Sequence, residues 1–259
     1  MYELRAGRVS FFISENAPQT DALLQGRSPE DIALLFDEAW LKAHAQDLTF
    51  KGGRGQTLLF TLGGKNLVLR RYRRGGLWGK IIKTKFCRFF ALSRRALLEL
   101  DLIDAMLDLG LPVPPALIAR EERSWCWRQN ALLSVQVQGS QNLAEILAAR
   151  PLSAAECSHI GETLARFFNQ GVLHTDLNIR NILLDAAGQC VLIDFDKCFL
   201  KSELGAGEVQ QMLSRLERSF LKEQGRRPDL CFKPDDFILL KQACICGLKP
   251  GLRPKMVPK

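Results

Sequence analysis

Short hydrophobic runs separated by glycines dominate the first half of the chain. The runs Leu58-Leu-Phe60 and Leu67-Val-Leu69 flank Gly63-Gly64, a pattern that predicts two strands joined by a tight turn. A further strand is predicted over residues 131–137. The run Lys51-Gly-Gly-Arg-Gly55 interrupts the pattern and predicts a glycine-rich loop ahead of these strands.

Hydrophobic positions three to four residues apart predict several helices. Ser28-Pro29 supplies an N-cap and a proline at the first helical position, so we expect one helix from there to Trp40. Ser153 and Glu156 have the spacing of a capping box. Further elements are predicted as helices at residues 93–109, 141–150, 153–169 and 206–224, and as short strands at residues 172–173, 182–184 and 191–193.

The predicted strands lie mostly before residue 138 and the predicted helices mostly after it. This order favours an α+β fold with two lobes, residues 1–138 forming an antiparallel sheet plus a helix and residues 139–259 forming a mostly helical lobe. A length of 259 residues with 47% hydrophobic and 25% charged residues is typical of a soluble globular protein.

Cysteine spacing and hydropathy exclude several other classes. The eight cysteines contain no Cys-x-x-Cys pair, which argues against a zinc site or a disulfide framework and favours free thiols in a reducing compartment. Residues 1–14 lack the pattern of a signal peptide, and no apolar run is long enough to span a membrane. We therefore expect a cytoplasmic protein, and peripheral contact with a membrane stays open.

The charge pattern indicates an acidic partner. The formal net charge is +8, and cations concentrate between Arg70 and Arg95. A nucleotide, a nucleic acid or an anionic membrane surface each fits this balance, which by itself does not distinguish among them.

The most specific chemical signal is the loop from His174 to Asn181. It matches the kinase pattern His-x-Asp followed five residues later by Asn, between two short predicted strands. Phosphoryl transfer needs a carboxylate that accepts the hydrogen bond of the acceptor hydroxyl, and oxygen ligands for Mg²⁺. The pattern predicts Asp176 as the catalytic base and Asn181 as a metal ligand.

A second carboxylate follows at the end of the next predicted strand. Asp194-Phe195 corresponds to the Asp-Phe of the Asp-Phe-Gly element, with Asp196 in place of the glycine. Asp194 is therefore the second predicted metal ligand, bridging Mg²⁺ to the phosphates of ATP. Singly, each of these residues also fits a turn former or a helix cap.

The first half of the chain contributes predicted nucleotide contacts. Gly53 and Gly55 form a partial Gly-x-Gly-x-x-Gly loop, which also fits a simple hairpin loop. On the strand after it, Val68 and Arg70 share one face, so Val68 is expected against adenine and Arg70 on the phosphates. Glu99 is the expected partner of Arg70.

These contacts leave alternatives. Arg71 or Lys65 is an alternative phosphate contact, and Arg70 also fits a solvated edge-strand arginine. Glu99 also fits an exposed helical residue paired with Arg95, four positions earlier.

With these motifs in place, the chain resembles the bacterial 3-deoxy-D-manno-octulosonic acid (Kdo) kinases, in the lipopolysaccharide kinase branch of the protein-kinase-like superfamily. The resemblance covers roughly residues 30–235. It depends on stretches that share the family's pattern: Lys51–Thr57, Leu69–Lys80, Gly110–Pro114, His174–Asn178 with Asn181, and Leu192–Cys198.

The resemblance implies a bilobal protein-kinase-like fold, shortened at the C-terminus. Residues 1–138 would form the lobe with the glycine-rich loop and the phosphate-binding strand, and residues 139–259 the catalytic lobe. The implied enzyme is a phosphotransferase that uses ATP and Mg²⁺ on the 4-hydroxyl of Kdo linked to lipid A precursor (lipid IVA), in lipopolysaccharide core biosynthesis.

The same resemblance implies the partners and the location. The substrate would be an anionic glycolipid, no nucleic acid is expected, and the protein would lie at the cytoplasmic face of the inner membrane without a transmembrane segment. The cations and aromatic residues between Arg70 and Phe90 fit contact with this substrate or with the anionic leaflet, and equally an ordinary solvated face over a core.

Two other functions stay open. One is a kinase of the same fold acting on core heptose or on a protein, although the absence of an Ala-Pro-Glu element after Asp194 disfavours a protein substrate. The other is a pseudokinase or basic binding module at a membrane, which the retained Asp176, Asn181 and Asp194 disfavour.

Overall fold

The computed structural model describes residues 1–51, 57–72, 86–87, 94–123 and 127–254. It divides into two compact units. The first contains residues 1–108 and 114–137, and the second contains residues 109–113 and 138–259. The predicted roles of residues 1–138 as the lobe with the glycine-rich loop and phosphate-binding strand, and of residues 139–259 as the catalytic lobe, stay predictions.

The strands of the first unit form an antiparallel sheet in the order β1-β2-β7-β8-β5-β4-β3, with β6 also pairing with β8. This confirms the predicted antiparallel sheet of an α+β fold. The strands are β1 (Tyr2–Ala6), β2 (Val9–Ile13), β3 (Gln46–Lys51), β4 (Thr57–Leu62), β5 (Lys65–Arg71), β6 (Phe86–Cys87), β7 (Ala116–Arg123) and β8 (Trp127–Val135).

The predicted hairpin is present as β4 and β5. Gly63 and Gly64 form its turn with φ of 56° and 71°, values that glycine adopts without the steric cost of a Cβ atom. Leu67 and Leu69 of β5 are fully buried in the core of this unit. By the two-residue period of a strand, Val68 and Arg70 lie on the other face of the sheet.

The described residues of the first unit form four helices: α1 (Pro18–Leu24), α2 (Pro29–Leu34), α3 (Glu38–His44) and α4 (Arg95–Asp108). The prediction of one helix from Ser28 to Trp40 is wrong after its first two turns. Ser28 does cap α2, but Asp37 Oδ1 accepts a hydrogen bond of 2.7 Å from Trp40 N and starts a new helix. An aspartate caps a helix start better than it continues a helix.

The second unit is mostly helical, as predicted. Its helices are α5 (Leu143–Ala149), α6 (Ala154–Asn169), α7 (Ala206–Arg226) and α8 (Pro234–Gly247), and its short strands are β9 (Gln141–Asn142), β10 (Val172–Leu173), β11 (Ile182–Leu184), β12 (Cys190–Leu192) and β13 (Phe199–Leu200). The predicted capping box of α6 is confirmed, since Ser153 Oγ accepts a hydrogen bond from Glu156 N at 3.2 Å.

Helix α8, which the hydrophobic pattern did not predict, packs along α6. Gly161 of α6 permits this contact, because a Cβ atom there would lie 2.2 Å from Leu240 O. Among the described residues, no helix is long and apolar enough to cross a membrane.

Candidate active site

The loop between β10 and β11 is organised around a buried histidine. His174 Nε2 lies 3.2 Å from Ile193 O, and Asp176 N lies 3.3 Å from His174 Nδ1. Burial lowers the pKa of His174, so the ring is neutral near pH 7. A neutral ring that donates from Nε2 and accepts at Nδ1 satisfies both contacts and fixes the direction of the loop.

The carboxylate of Asp176 is accessible, while its main chain is held in place. The side chain is 60% exposed. The main-chain carbonyl O of Asp176 accepts hydrogen bonds from Asn178 Nδ2 at 2.8 Å and Asn181 Nδ2 at 3.0 Å. The loop therefore presents one carboxylate to solvent from a backbone whose position is fixed by two side-chain amides.

Asn181 is buried and has a defined amide orientation. Its Nδ2 donates to Asp176 O, so its Oδ1 is directed away from that carbonyl. Its main-chain O accepts a hydrogen bond of 3.0 Å from Ile193 N, which ties the loop to the segment carrying Asp194. The residue that carries this side-chain amide is thus tied to the residue directly before Asp194.

Asp194 follows β12 in an unusual backbone conformation. Its φ is 65°, in the left-handed region that non-glycine residues seldom adopt. The next residue, Phe195, is buried, with its ring centroid 5.1 Å from that of His174 and 6.2 Å from that of Phe167. This packing holds the segment in place, so the strain at Asp194 is maintained by its surroundings.

The second unit therefore brings together the three polar residues that the sequence predicted: Asp176, Asn181 and Asp194. The amide oxygen of Asn181 and the carboxylate of Asp194 are hard oxygen ligands of the kind that Mg²⁺ prefers. Among the described residues no group of three His, Cys, Asp or Glu side chains forms a metal site. Two protein ligands fit a Mg²⁺ ion whose remaining ligands are phosphate oxygens and water.

Arg215 of α7 is a neighbour of Asp176 that sequence reasoning missed. Its Nη1 lies 3.4 Å from Asp176 Oδ1, and both side chains are at least half exposed. Helix and loop are also joined by a hydrogen bond of 3.1 Å from Ile179 N to Ser219 Oγ. The only signal in the sequence was a set of basic residues at helical spacing in the predicted helix 206–224.

In the first unit, Arg70 and Glu99 form an ion pair, as predicted. Glu99 is 4% exposed, so it is not the solvent-exposed helical residue of the alternative interpretation. Tyr72, which sequence reasoning missed, joins the pair: its hydroxyl donates to Glu99 and accepts from Arg70 Nη2 at 2.9 Å. Burial raises the pKa of Tyr72 well above its usual value, which keeps this donor protonated.

The other described residues that were predicted to contact the nucleotide, Arg71, Lys65 and Val68, lie outside the cluster of Arg70, Tyr72 and Glu99. Arg71 is engaged by Glu38 at 3.0 Å and by Phe36 O at 3.2 Å. Lys65 begins β5 beside the hairpin turn, opposite Leu62. Val68 is half-buried opposite Leu59 of β4 and Ser134 of β8.

Several predicted contacts fall on parts of the chain that the structure leaves undescribed. Gly53 and Gly55 of the predicted glycine-rich loop lie outside the described residues. So do most members of the predicted basic and aromatic segment: Arg73, Arg74, Trp78, Lys80, Lys83, Lys85, Arg88, Phe89 and Phe90.

The chain is similar over most of its length to bacterial proteins that bear the name of a kinase. It is 36% identical over 212 residues to a 3-deoxy-D-manno-octulosonic acid kinase of Vibrio parahaemolyticus, covering 82% of this chain and 88% of the relative. An enzyme of the same name from Haemophilus influenzae is 39% identical over 184 residues, covering 67% of this chain and 75% of the relative. One from Xylella fastidiosa is 35% identical over 210 residues, covering 81% and 82%.

The sequence model of a protein family also matches this chain over residues 38–232. That range includes Arg70, Glu99, Asp176, Asn181 and Asp194. This match confirms the predicted phosphotransferase class and the kinase-like fold. The chain belongs to the lipopolysaccharide kinase (Kdo/WaaP) family.

Proposed function

We propose that this protein is a Kdo kinase that transfers the γ-phosphate of ATP to the 4-hydroxyl of a Kdo residue linked to lipid A precursor (lipid IVA). The observation that carries this proposal is the His174–Asn181 loop, with Asp176 exposed and Asn181 tied to the Asp194 segment. The substrate is inferred from relatives that bear the name 3-deoxy-D-manno-octulosonic acid kinase.

Asp176 acts on the acceptor hydroxyl in this proposal. Its exposed carboxylate accepts a hydrogen bond from the hydroxyl and orients the oxygen toward the phosphate. It takes up the proton as the new O–P bond forms, while the bond from the γ-phosphorus to the bridging oxygen breaks and ADP leaves. The hydrogen bonds from Asn178 and Asn181 to the carbonyl of Asp176 limit the movement of its backbone. Fixed positioning of this kind supplies much of the catalysis in phosphoryl transfer.

Asn181 and Asp194 hold Mg²⁺ in the proposed enzyme. When bound, the ion neutralises charge on the phosphate oxygens. The contribution of the chain is to tie the two segments that carry these ligands together, through the hydrogen bond between Ile193 N and Asn181 O.

Arg70 binds phosphate oxygens of ATP in place of the usual lysine. Its ion pair with Glu99 and its contact with Tyr72 restrict the guanidinium to a small range of positions. A guanidinium presents several donors in a plane, so it contacts phosphate in a different geometry from an ammonium group. Gly53, Gly55 and Val68 complete the proposed nucleotide contacts, with Val68 against adenine.

The proposed location is the cytoplasmic face of the inner membrane, as a peripheral protein. The acceptor is an anionic glycolipid embedded in that membrane, and the net charge of +8 favours association with an anionic surface.

Mass spectrometry tests the proposed reaction directly. The protein is incubated with Mg-ATP and lipid A precursor, with and without attached Kdo. A gain of one phosphate that requires Kdo supports the proposal, and fragmentation then locates the phosphate on the sugar. Phosphorylation of a heptosylated core or a peptide, with none on the Kdo-bearing lipid, would contradict it.

A further inference from the structure

A groove of about 500 Å³ lies directly beside Asp176, between the His174–Asn181 loop and α7. Its charged lining comprises Asp176, Arg180, Arg215, Arg218, Lys222, Glu223 and Arg226, which is five cationic side chains against two acidic ones. We call it the basic groove. Every residue that lines it belongs to the second unit.

The cations of α7 in the basic groove lie on one face of the helix. Arg215, Arg218, Lys222 and Arg226 follow one another at intervals of three, four and four residues, which is the spacing of neighbours along a helix face. Buried residues such as Leu213, Leu216 and Phe220 hold α7 in place from the other side. The basic face is therefore rigid, and it is tied to the catalytic loop through Ser219 and Ile179.

The cations of the basic groove differ in their partners. Arg180 and Arg226 contact Glu223 at 2.8 Å and 3.8 Å, and Arg215 contacts Asp176. Within the described part of the chain, Arg218 and Lys222 have no acidic partner and both are exposed. Like charges four residues apart on a helix repel each other, so an anion bound between these two side chains would relieve the repulsion.

The position of Arg215 connects the basic groove to the chemistry. Asp176 itself lines the basic groove, and Arg215 Nη1 is 3.4 Å from Asp176 Oδ1, so a group bound along the groove reaches the carboxylate of Asp176. A sugar acid carries a carboxylate and hydroxyl groups on one ring, and a phosphorylated glycolipid adds further anions beyond it. The arrangement fits an acceptor with a hydroxyl at one end and anionic groups along its length.

We propose that the basic groove is the acceptor site, where Arg218 and Lys222 bind anionic groups of the glycolipid and thereby place its hydroxyl against Asp176. This proposal rests on the proposed function for the identity of the acceptor. The recognised chemistry is carboxylate or phosphate, which come from the sugar acid and from the lipid A phosphates respectively.

The test compares two double variants of equal charge change. Arg218→Gln/Lys222→Gln removes two cations from the basic groove, and Arg8→Gln/Lys241→Gln removes two cations elsewhere. We expect the first to raise KM for the acceptor about tenfold or more, with KM for ATP within twofold of the original protein, since one or two charge-assisted contacts are lost. The control should leave both KM values within twofold.

A charge-preserving variant separates anion binding from packing. Arg218→Lys/Lys222→Arg should keep KM for the acceptor within about threefold, because both cations remain. An unchanged acceptor KM in the Gln variant, or an equal rise in the control, would overturn the proposal. Repeating the measurement with acceptor lacking the lipid phosphates identifies the anion: the effect persists if the groove binds the carboxylate and disappears if it binds phosphate.

A binding measurement keeps this test separate from that of the proposed function. If the original protein phosphorylates no Kdo-bearing acceptor, the proposed function fails. Binding of detergent-solubilised Kdo-bearing lipid A precursor to the two double variants then tests whether the basic groove binds anions. Weaker binding only in the groove variant supports an anion site there, and equal binding in both overturns it.

Discussion

At the scale of single residues, a neutral imidazole helps to fix the form of the His174–Asn181 loop. His174 receives the amide of Asp176 on one nitrogen and contacts the carbonyl of Ile193 with the other. The sequence predicted Asp176 and Asn181 because the motif is contiguous. It did not predict Tyr72 or Arg215, because neither belongs to a motif and folding brings each to a partner 27 or 39 positions away along the chain.

Asp176→Asn should lower the rate of phosphate transfer about a hundredfold or more, because the amide no longer accepts the proton of the hydroxyl. The side chain is largely exposed, so the free energy of unfolding should change by less than about 1 kcal/mol. Initial rates and thermal denaturation measure the two quantities. Glu217→Gln, which removes an exposed carboxylate from α7, is the control and should retain full activity.

Glu99→Gln should raise KM for ATP about tenfold, because Arg70 loses the anion that positions it. It should also lower the free energy of unfolding by about 1 to 3 kcal/mol, since a partly buried guanidinium loses its charged partner. Tyr72→Phe is the matched control: it removes a hydroxyl from the same cluster but no charge, and its effect on KM should be smaller. Equal effects of the two variants would contradict the assigned role of Glu99.

At the scale of elements, helix caps and tight turns were predicted correctly because neighbouring residues specify them. Elements that depend on contacts between distant residues were missed. The capping box of α6 and the turn of the β4–β5 hairpin are written in adjacent residues, and both predictions are confirmed. Strand β7 was missed because it pairs with β2, which lies more than a hundred residues earlier. The break between α2 and α3 was missed because hydrophobic residues at helical spacing continue across it. Leu35 and Phe36 precede the cap at Asp37, and Ala39 and Trp40 follow it.

Glu156 at the start of α6 gives the fold a contribution that depends on pH. The hydrogen bond from Arg150 is the main cause that lowers the pKa of Glu156 from 4.5 to about 2. The stabilisation is therefore complete above pH 4.5 and is lost as the pH falls toward 2, where the folded state also takes up the proton. Because Arg150 is half exposed, it amounts to about 1 kcal/mol or less.

Glu156→Gln should remove this dependence while retaining the capping geometry, since glutamine also serves in a capping box. The difference in unfolding free energy from the original protein should be constant near neutral pH and shrink toward zero at pH 2 to 3. Denaturant titrations across this range measure it. A difference that does not vary with pH would contradict the ion pair, and Glu162→Gln on the same helix serves as the control.

Gly161→Ala should destabilise the contact between α6 and α8 by about 1 to 3 kcal/mol, because the added methyl group would overlap Leu240 O and Ala243 Cβ. Gly207→Ala on α7 meets nothing within 4 Å and should be neutral or slightly stabilising. Denaturant unfolding of both variants tests the comparison. Equal stability of the two would mean that the helices do not approach closely at Gly161.

At the scale of the whole molecule, the order of the predicted elements was sufficient for the fold class, and the motif stretches were sufficient for the family. The order of strands in the sheet was beyond reach, because β8 lies between β7 and β5, and β5 comes some sixty residues earlier in the chain. The excess of positive charge was visible at once. The placement of positive charge in the basic groove was not visible, since it depends on how α7 packs beside the His174–Asn181 loop.

The net charge of +8 predicts association with anionic membranes. The protein should sediment with vesicles that contain anionic lipid at about 0.05 M salt and be released at about 0.5 M, where the screening length falls to a few ångströms. Vesicles of neutral lipid are the control and should not bind it. Equal sedimentation with both kinds of vesicle would contradict an electrostatic attachment.

The left-handed backbone at Asp194 has a consequence for anyone who engineers this enzyme. A non-glycine residue at φ 65° costs the fold about 1 kcal/mol or more, and glycine would remove that cost. Glycine would also remove the carboxylate proposed to bind the metal. Selection for thermal stability alone would therefore reward variants that have lost catalysis, so a screen for hardier versions of this protein has to score turnover alongside melting temperature.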